Sequence, residues 1–415
     1  MQYYIYLDGK TLGPIEEANV ITAVLSNRFT RSTPACRVGD SQWQPLGDLI
    51  KLPGQYSTPP PLPKAPETSV PSAGDVIKEM AAKISNLVGV EHLEKENTKG
   101  MFSEVWKKRT NNELEAYFSV GTATNTPTLA EIDTRWPRPW AFFKAFLGSL
   151  LAFVGLYYMV AHFSNPFGLP AVLMTGAFAV PCSVLVLFFE LNAPRNFSIY
   201  QVLRLTLFGG VLSLVVCMFL FNFASGVGLD WMGASVAAIA EEPAKLLAMM
   251  IVVKETRYRW TLNGLLIGAC VGTGFAVIET AGYAFVSLIA DLQNGGGATT
   301  EGTLFIRALL YPLGGHAILS AIVGAALWRV KSNKVFDWSM LKQPKFLRLA
   351  AVSVVLHALW NSPLELPFFA EKFLIGGVAW LIILSLVQSG LREVRAARDL
   401  EGDGIISEKQ EAAPT

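Results

Sequence analysis

Charge is what this sequence has least of. Only 16% of its 415 residues are Asp, Glu, Lys or Arg, where a typical soluble domain carries about 25%. Lys and Arg number 34 against 33 Asp and Glu, a formal net charge of +1. Without a basic surplus there is no electrostatic footprint for a nucleic-acid partner. The four cysteines, Cys36, Cys182, Cys217 and Cys270, are scattered, one near the N-terminus and three inside apolar runs. That is no disulfide framework, and with no Cys-x-x-Cys pair it is no zinc ribbon either. Histidine is equally rare, at His92, His162, His316 and His357, and the His-Glu-x-x-His signature of many zinc proteases is absent. Met1–Leu12 is polar and aromatic with no long apolar core, so no signal peptide is expected.

What is abundant is apolar length. Hydrophobic residues make up 52% of the chain and gather in eight runs, 141–163, 168–190, 201–224, 231–253, 262–290, 305–328, 349–365 and 373–391. Most are near the ~20 residues that a bilayer requires of a helix. Basic residues alternate between the gaps. Arg135, Arg138 and Lys144, then Arg195 and Arg204, then Lys254, Arg257 and Arg259 fall on one side. So do Arg329, Lys331, Lys334, Lys342, Lys345, Arg348, Arg392, Arg395 and Arg398; the opposite gaps hold only Arg307 and Lys372. Positive residues stay on the cytosolic side. The expectation is a mainly α, polytopic bundle of about eight transmembrane helices in the inner membrane, with both termini cytosolic and the lipid bilayer as its surroundings.

Ahead of the bundle, residues 1–55 read as a small cytosolic α+β module. Tyr3–Leu7 is a strand, Asp8-Gly9 a hairpin turn, Glu16–Ser26 a helix, and Gly39 to Leu46 the close. With Tyr3, Tyr4, Gly13-Pro14 and the Trp43-x-Pro45-Leu46 ending, the module resembles GYF-like domains. The resemblance implies a proline-rich or protein partner. Residues 56–72 form a linker whose Pro59-Pro60-Pro61-Leu62-Pro63 tract favours polyproline II and is expected to dock on the module. Residues 73–138 carry helical spacing at Val76/Ile77, Met80, Ile84 and Leu87/Val88. Arg135-Trp136-Pro137-Arg138-Pro139-Trp140 marks entry to a membrane domain spanning 139–394, and residues 395–415 read as a disordered acidic tail.

Charged groups inside apolar runs are costly and usually functional. Glu241-Glu242-Pro243-Ala244-Lys245 lies within the fourth run, Glu279 in the fifth, His316 in the sixth, and His357 and Asn361 in the seventh. Counted along the helices, they fall in one layer, roughly 10–17 Å below one hydrocarbon edge. Glu241 and Lys245, four apart, can also pair simply with each other. Pro243 cannot donate to the carbonyl of Ile239, so a bend or opening is predicted there. Gly264, Gly268 and Gly272 follow the small-xxx-small pattern of close helix packing. His92 and His162 are taken as surface residues.

Three chemistries suit such a pocket. A carboxylate can act as general base to water while His and Asn donate to a developing oxyanion, which suits amide hydrolysis. A divalent metal such as zinc can be held by Glu242, Glu279, His316 and His357 and polarise the water. A non-enzymatic transporter, proton relay or signalling scaffold uses the same residue types without covalent chemistry, and a pseudo-protease binding membrane partners is a further alternative.

The order of four motifs narrows the choice. Glu241-Glu242-x-x-Lys245, Phe275-x-x-x-Glu279, His316-Ala317-Ile318-Leu319-Ser320 and His357-Ala358-Leu359-Trp360-Asn361 stand on successive runs. In this, residues 140–394 resemble the PrsW family of intramembrane proteases, more distantly related to the CAAX prenyl proteases. In the latter the second motif ends in His, so Glu279 favours the PrsW branch. The resemblance implies hydrolysis of a peptide bond in a membrane-protein substrate, such as an anti-sigma factor. Glu241 or Glu242 is then the base, Glu279 shares or relays the proton, and His316 and His357 orient water or stabilise the oxyanion. Asn361 donates to it, and Lys245 is a structural partner of the site.

Overall fold

The computed structural model describes residues 1–51, 73–93, 100–163, 166–226, 229–294, 298–364 and 366–402. The Pro59–Pro63 tract and the tail beyond 402 lie outside them. The chain divides into two compact units, Met1–Asp75 and Val76–Thr415.

In the first unit β1 (Gln2–Leu7), β2 (Lys10–Glu16), β3 (Pro34–Arg37) and β4 (Gln44–Pro45) form an antiparallel sheet ordered β2-β1-β3-β4. Asp8 and Gly9 both take positive φ, 49° and 79°, the backbone that a two-residue hairpin demands. Alternation along β1 buries Tyr3 and Ile5, which pack with Val20 of α1 (Glu17–Leu25), Phe29, Ala35, Leu46 of the single-turn helix α2 (Leu46–Leu49), and Ile50. Tyr3 is thus a core aromatic. Trp43 is not: it stands exposed beside Tyr6, edge to face at 6.0 Å.

The second unit is helical. Of the stripe expected on α3 (Ala73–Val88), Ile84 and Val88 pack on the bundle core, while Val76, Ile77 and Met80 remain exposed. The Thr110–Glu113 capping box starts α4 (Asn111–Phe118), satisfying donors that a helix start leaves unpaired. At its far end the Tyr117 hydroxyl donates to Glu190 at 3.1 Å. Burial, with the Glu190 carboxylate close by, raises the Tyr117 phenol above its ordinary pKa. Glu190 also accepts the backbone N–H groups of Trp140, Ala141 and Phe142 at 2.8–3.0 Å. A buried carboxylate therefore caps α5 (Ala141–Phe163), complementing the positive end of its dipole.

Among the described residues six stretches are long and apolar enough to cross a membrane: Ala141–Phe163, Leu169–Leu191, Ile199–Phe223, Thr261–Asn294, Gly302–Lys331 and Pro367–Glu401. Numbered in chain order, α6 is Leu169–Leu191 and α7 is Ile199–Phe223, each with an internal π-helical turn. They are followed by α8 (Ala237–Val252), α9 (Thr261–Asn294), α10 (Ala298–Gly314), α11 (His316–Lys331), α12 (Pro344–Trp360) and α13 (Ala370–Gly402).

Three of the eight expected runs are interrupted. In the fourth, Gly233 takes φ 57° and ψ −137° inside the stretch Leu229–Val236, so α8 begins only at Ala237 and has 16 residues. The helix then runs through Pro243 to Val252; the interruption lies upstream, at the residue that tolerates left-handed backbone. The sixth run breaks at Gly315, whose extended backbone separates α10 from α11. The seventh gives α12 of 17 residues, ending at Trp360, where Pro363 follows and disfavours helix for the residue before it. At the other end of the bundle, α13 continues past the expected start of the tail, to Gly402.

Helix α9 is the axis of the bundle, buried at every residue from Thr261 to Val277. A Cβ on Gly268 or Gly272 would collide with the backbone carbonyls of Ser320 and His316 on α11. The glycine ladder thus sets how near the two backbones approach, and with it the seat of His316. Near the start of α9, Asn263 Nδ2 donates to Asn192 at 2.9 Å and to Asn196 at 2.7 Å, while its Oδ1 accepts the Trp260 backbone N–H at 3.2 Å.

Candidate active site

Four helices supply the buried polar groups. Glu241, Glu242 and Lys245 come from the first turns of α8, Glu279 from the middle of α9, His316 from the first residue of α11, and His357 from the last turn of α12. Asn361 is the residue that ends α12. The backbone breaks place these groups: the interruption at Gly233 puts the glutamates near a helix start, and Gly315 puts His316 at one. All are buried except Glu279 and Asn361, which are partly so. A cavity of about 330 Å³ is lined by Glu241, Glu279, His316, His357 and Asn361, with Arg307, Tyr311 and Trp360 completing its walls.

Lys245 Nζ, fully buried, donates to Glu241 Oε2 at 3.1 Å, Glu242 Oε1 at 2.9 Å and His316 Nδ1 at 2.8 Å, and lies 4.4 Å from the Phe275 ring centre. The expected Glu241–Lys245 pair exists, but it is one edge of a larger network. Because an ammonium only donates, His316 Nδ1 accepts and the ring proton sits on Nε2. That nitrogen donates to Glu279 Oε2 at 2.8 Å. His357 is the mirror case: its Nδ1 is 2.9 Å from Glu242 Oε1, and its Nε2 faces Glu241 Oε2 at 3.8 Å. Each histidine therefore gives one nitrogen to a carboxylate and turns the other toward Glu241.

Ligand atoms of Glu241, His316 and His357 all lie within 4.8 Å of one another. Two neutral imidazoles and a carboxylate are a sound donor set for zinc. Glu242 and Glu279 supply the outer hydrogen bonds that fix tautomer and ring orientation in such sites. The residues fit a divalent metal, with the grouping redrawn from the sequence expectation. Glu241 joins the histidines, whereas Glu242 and Glu279 stand behind them. Glu242 Oε2 is buried with no hydrogen-bond partner among the described residues.

Residues 198–387 match the family model described as PrsW family intramembrane metalloprotease, and residues 3–52 match GYF domain 2. The membrane region carries an intramembrane peptidase similar to the PrsW family. The match contains Glu241, Glu242, Lys245, Glu279, His316, His357 and Asn361, and begins after α5 and α6. No curated protein and no solved structure matches the chain. With such a peptidase on several membrane-competent helices, the chain is a multi-pass membrane protein, and the match favours the enzymatic reading.

Two groups at this peptidase site were missed in the sequence. Arg307 NH2 donates to Glu279 Oε2, and the Tyr311 hydroxyl donates to the same oxygen at 2.8 Å. The signal was present: Arg307 is one of the few basic residues on its side of the membrane pattern, and Tyr311 lies four residues on, on the same helix face.

Proposed function

We propose that this PrsW-family enzyme cleaves a peptide bond of a single-span membrane protein presented at the Glu241 cavity, and that Glu241 is the base. The observation that carries the assignment is orientation: Glu241 lines the cavity, while Glu242 Oε1 is taken by Lys245 and His357. Every contact of Glu241 given above uses Oε2; its Oε1 receives the proton of the attacking water. The water oxygen bonds the carbonyl carbon, Asn361 donates to the oxygen that gains charge, and Glu241 returns the proton to the amine as the C–N bond breaks. Glu242 and Glu279 hold His357 and His316 in single tautomers.

Glu241, His316 and His357 would hold a divalent metal, which when bound polarises a carbonyl oxygen and makes water a better nucleophile at neutral pH. Lys245 Nζ occupies His316 Nδ1 and Glu241 Oε2, so those two atoms would become free to hold such an ion only once the ammonium released them. The basic gaps between helices support an inner-membrane protein with cytosolic termini. The exposed Tyr6–Trp43 pair supports a proline-rich ligand for the N-terminal module, since aromatic surfaces take polyproline II segments; Pro59–Pro63 and segments of other membrane proteins are candidates. A regulatory protein such as an anti-sigma factor is the substrate class we favour.

The test is cleavage of a panel of single-span substrates by purified protein in lipid, before and after chelation. Wild-type cleavage lost on chelation and restored by zinc is the expected result. Cleavage that survives chelation leaves Glu241 as an unaided base, and cleavage undiminished in Glu241→Gln removes the assignment.

A further inference from the structure

Glu279 is the only carboxylate of the site that does not touch Lys245, and its charge is met from elsewhere. Arg307 on α10 reaches it through NH2, anchors its Nε on Thr280 Oγ1 at 3.1 Å, and contacts the Tyr311 hydroxyl at 3.0 Å. The guanidinium lies 4.4 Å from the Tyr283 ring centre and 5.1 Å from that of Tyr311. Three donors thus converge on the single atom Glu279 Oε2: Arg307, Tyr311 and His316. Tyr311 also holds the helix break, because its carbonyl accepts the Gly315 N–H at 2.8 Å, one residue before His316. Its ring meets the imidazole at 5.4 Å, edge to face.

We infer that Arg307 and Tyr311 are positioning residues of this peptidase, acting on His316 through Glu279. A carboxylate held by His316 alone would be free to turn about its own bonds. Fixed by a cation and a phenol, it offers Oε2 at one point, so His316 Nε2–H has one place to donate and Nδ1 one direction to face. That direction is toward Glu241. The inference rests on the reading of Glu241, His316 and His357 as the reacting or metal-holding set, and it adds a layer behind that set on a helix that carries none of its members.

A purely structural role predicts a different result: loss of Arg307 would weaken the fold and leave site properties of the folded fraction unchanged. The experiment uses full-length protein in lipid nanodiscs, stripped of metal, with zinc as the probe and a chelating dye as competitor. Substitution of a metal ligand's outer partner weakens affinity about 10–100-fold. Arg307→Met and Tyr311→Phe act one step further out, through Glu279, and are expected at the low end of that range, about tenfold; Arg307→Lys is expected to recover part of the loss, and Tyr283→Phe, which stacks on Arg307, is expected within twofold of wild type. In the cleavage assay kcat falls and KM holds. Tyr311→Phe keeps the test open if Arg307→Met fails to fold. Zinc affinity and kcat of both variants within twofold of wild type overturn the inference. If wild type cleaves but takes up no zinc, kcat alone decides: a fall at constant KM supports it, and no fall overturns it. Wild type that neither binds zinc nor cleaves removes the functional reading and this inference with it, a result separate from the variants behaving as wild type.

Discussion

The start and the middle of α9 bury polar groups in opposite ways. Near its start, Asn263 meets Asn192 and Asn196 in a cluster of neutral amides whose donors and acceptors face one another. Farther along, Glu279 belongs to a cluster of three carboxylates, Glu241, Glu242 and Glu279, against two cations, Lys245 and Arg307. The amide cluster ties helix ends together at little electrostatic cost, because satisfied neutral networks are stabilising. The charged cluster holds one more carboxylate than it has cations, leaves Glu242 Oε2 without a hydrogen-bond partner among the described residues, and lines a cavity. Buried charge survives in a membrane bundle where chemistry requires it. The difference teaches which polar cluster is architecture and which is a site.

That contrast can be broken most directly by comparing variants at the two clusters. Glu241→Gln is expected to lower kcat by about 10³-fold or more, in the range of lost general-base catalysis, with unfolding little changed. Lys245→Met comes next: it leaves carboxylates buried and unpaired, and breaking a buried ion pair costs about 3–5 kcal/mol, readable as a shift in denaturant-induced unfolding. Asn263→Ala is expected to cost about 1–3 kcal/mol through two stranded amides, with kcat per folded molecule within twofold. A fall in kcat like that of Glu241→Gln, at unchanged stability, would erase the distinction between the clusters. Trp43→Ala should be the smallest: cleavage of a substrate lacking any proline-rich segment stays within about twofold, since nothing in the reaction sketched here draws on that exposed ring.

Much of this was legible from residue spacing. Glu241, Glu279, His316 and His357 do converge, because helical rise turns sequence position into depth. The glycine ladder of α9 packs as its four-residue spacing implied. What spacing cannot carry is where a backbone departs from the helix. Hydropathy reads 231–253 as continuous, since Gly233 and its neighbours are as apolar as helix interior; only the backbone angle at Gly233 shows the break. The same blindness hid Gly315. Partnership across helices was also out of reach: Lys245 was expected to face Glu241, and it does, but its contact with His316 is made across 71 positions. Arg307 looked like a loop cation because the sixth run was drawn from its edge.

Two of the helices that carry the candidate site, α8 and α12, are short. At 1.5 Å per residue, α8 with 16 residues and α12 with 17 span about 24 and 26 Å, against roughly 30 Å of hydrocarbon. A stretch shorter than the bilayer is accommodated by local thinning of the lipid around it. Where α8 and α12 meet lipid, a bilayer drawn in toward the cavity is the expected consequence. For the substrate helix proposed above, water would then be closer on that flank than elsewhere in the bilayer, and the exchange of its backbone hydrogen bonds for solvent, which hydrolysis demands, would be easier there.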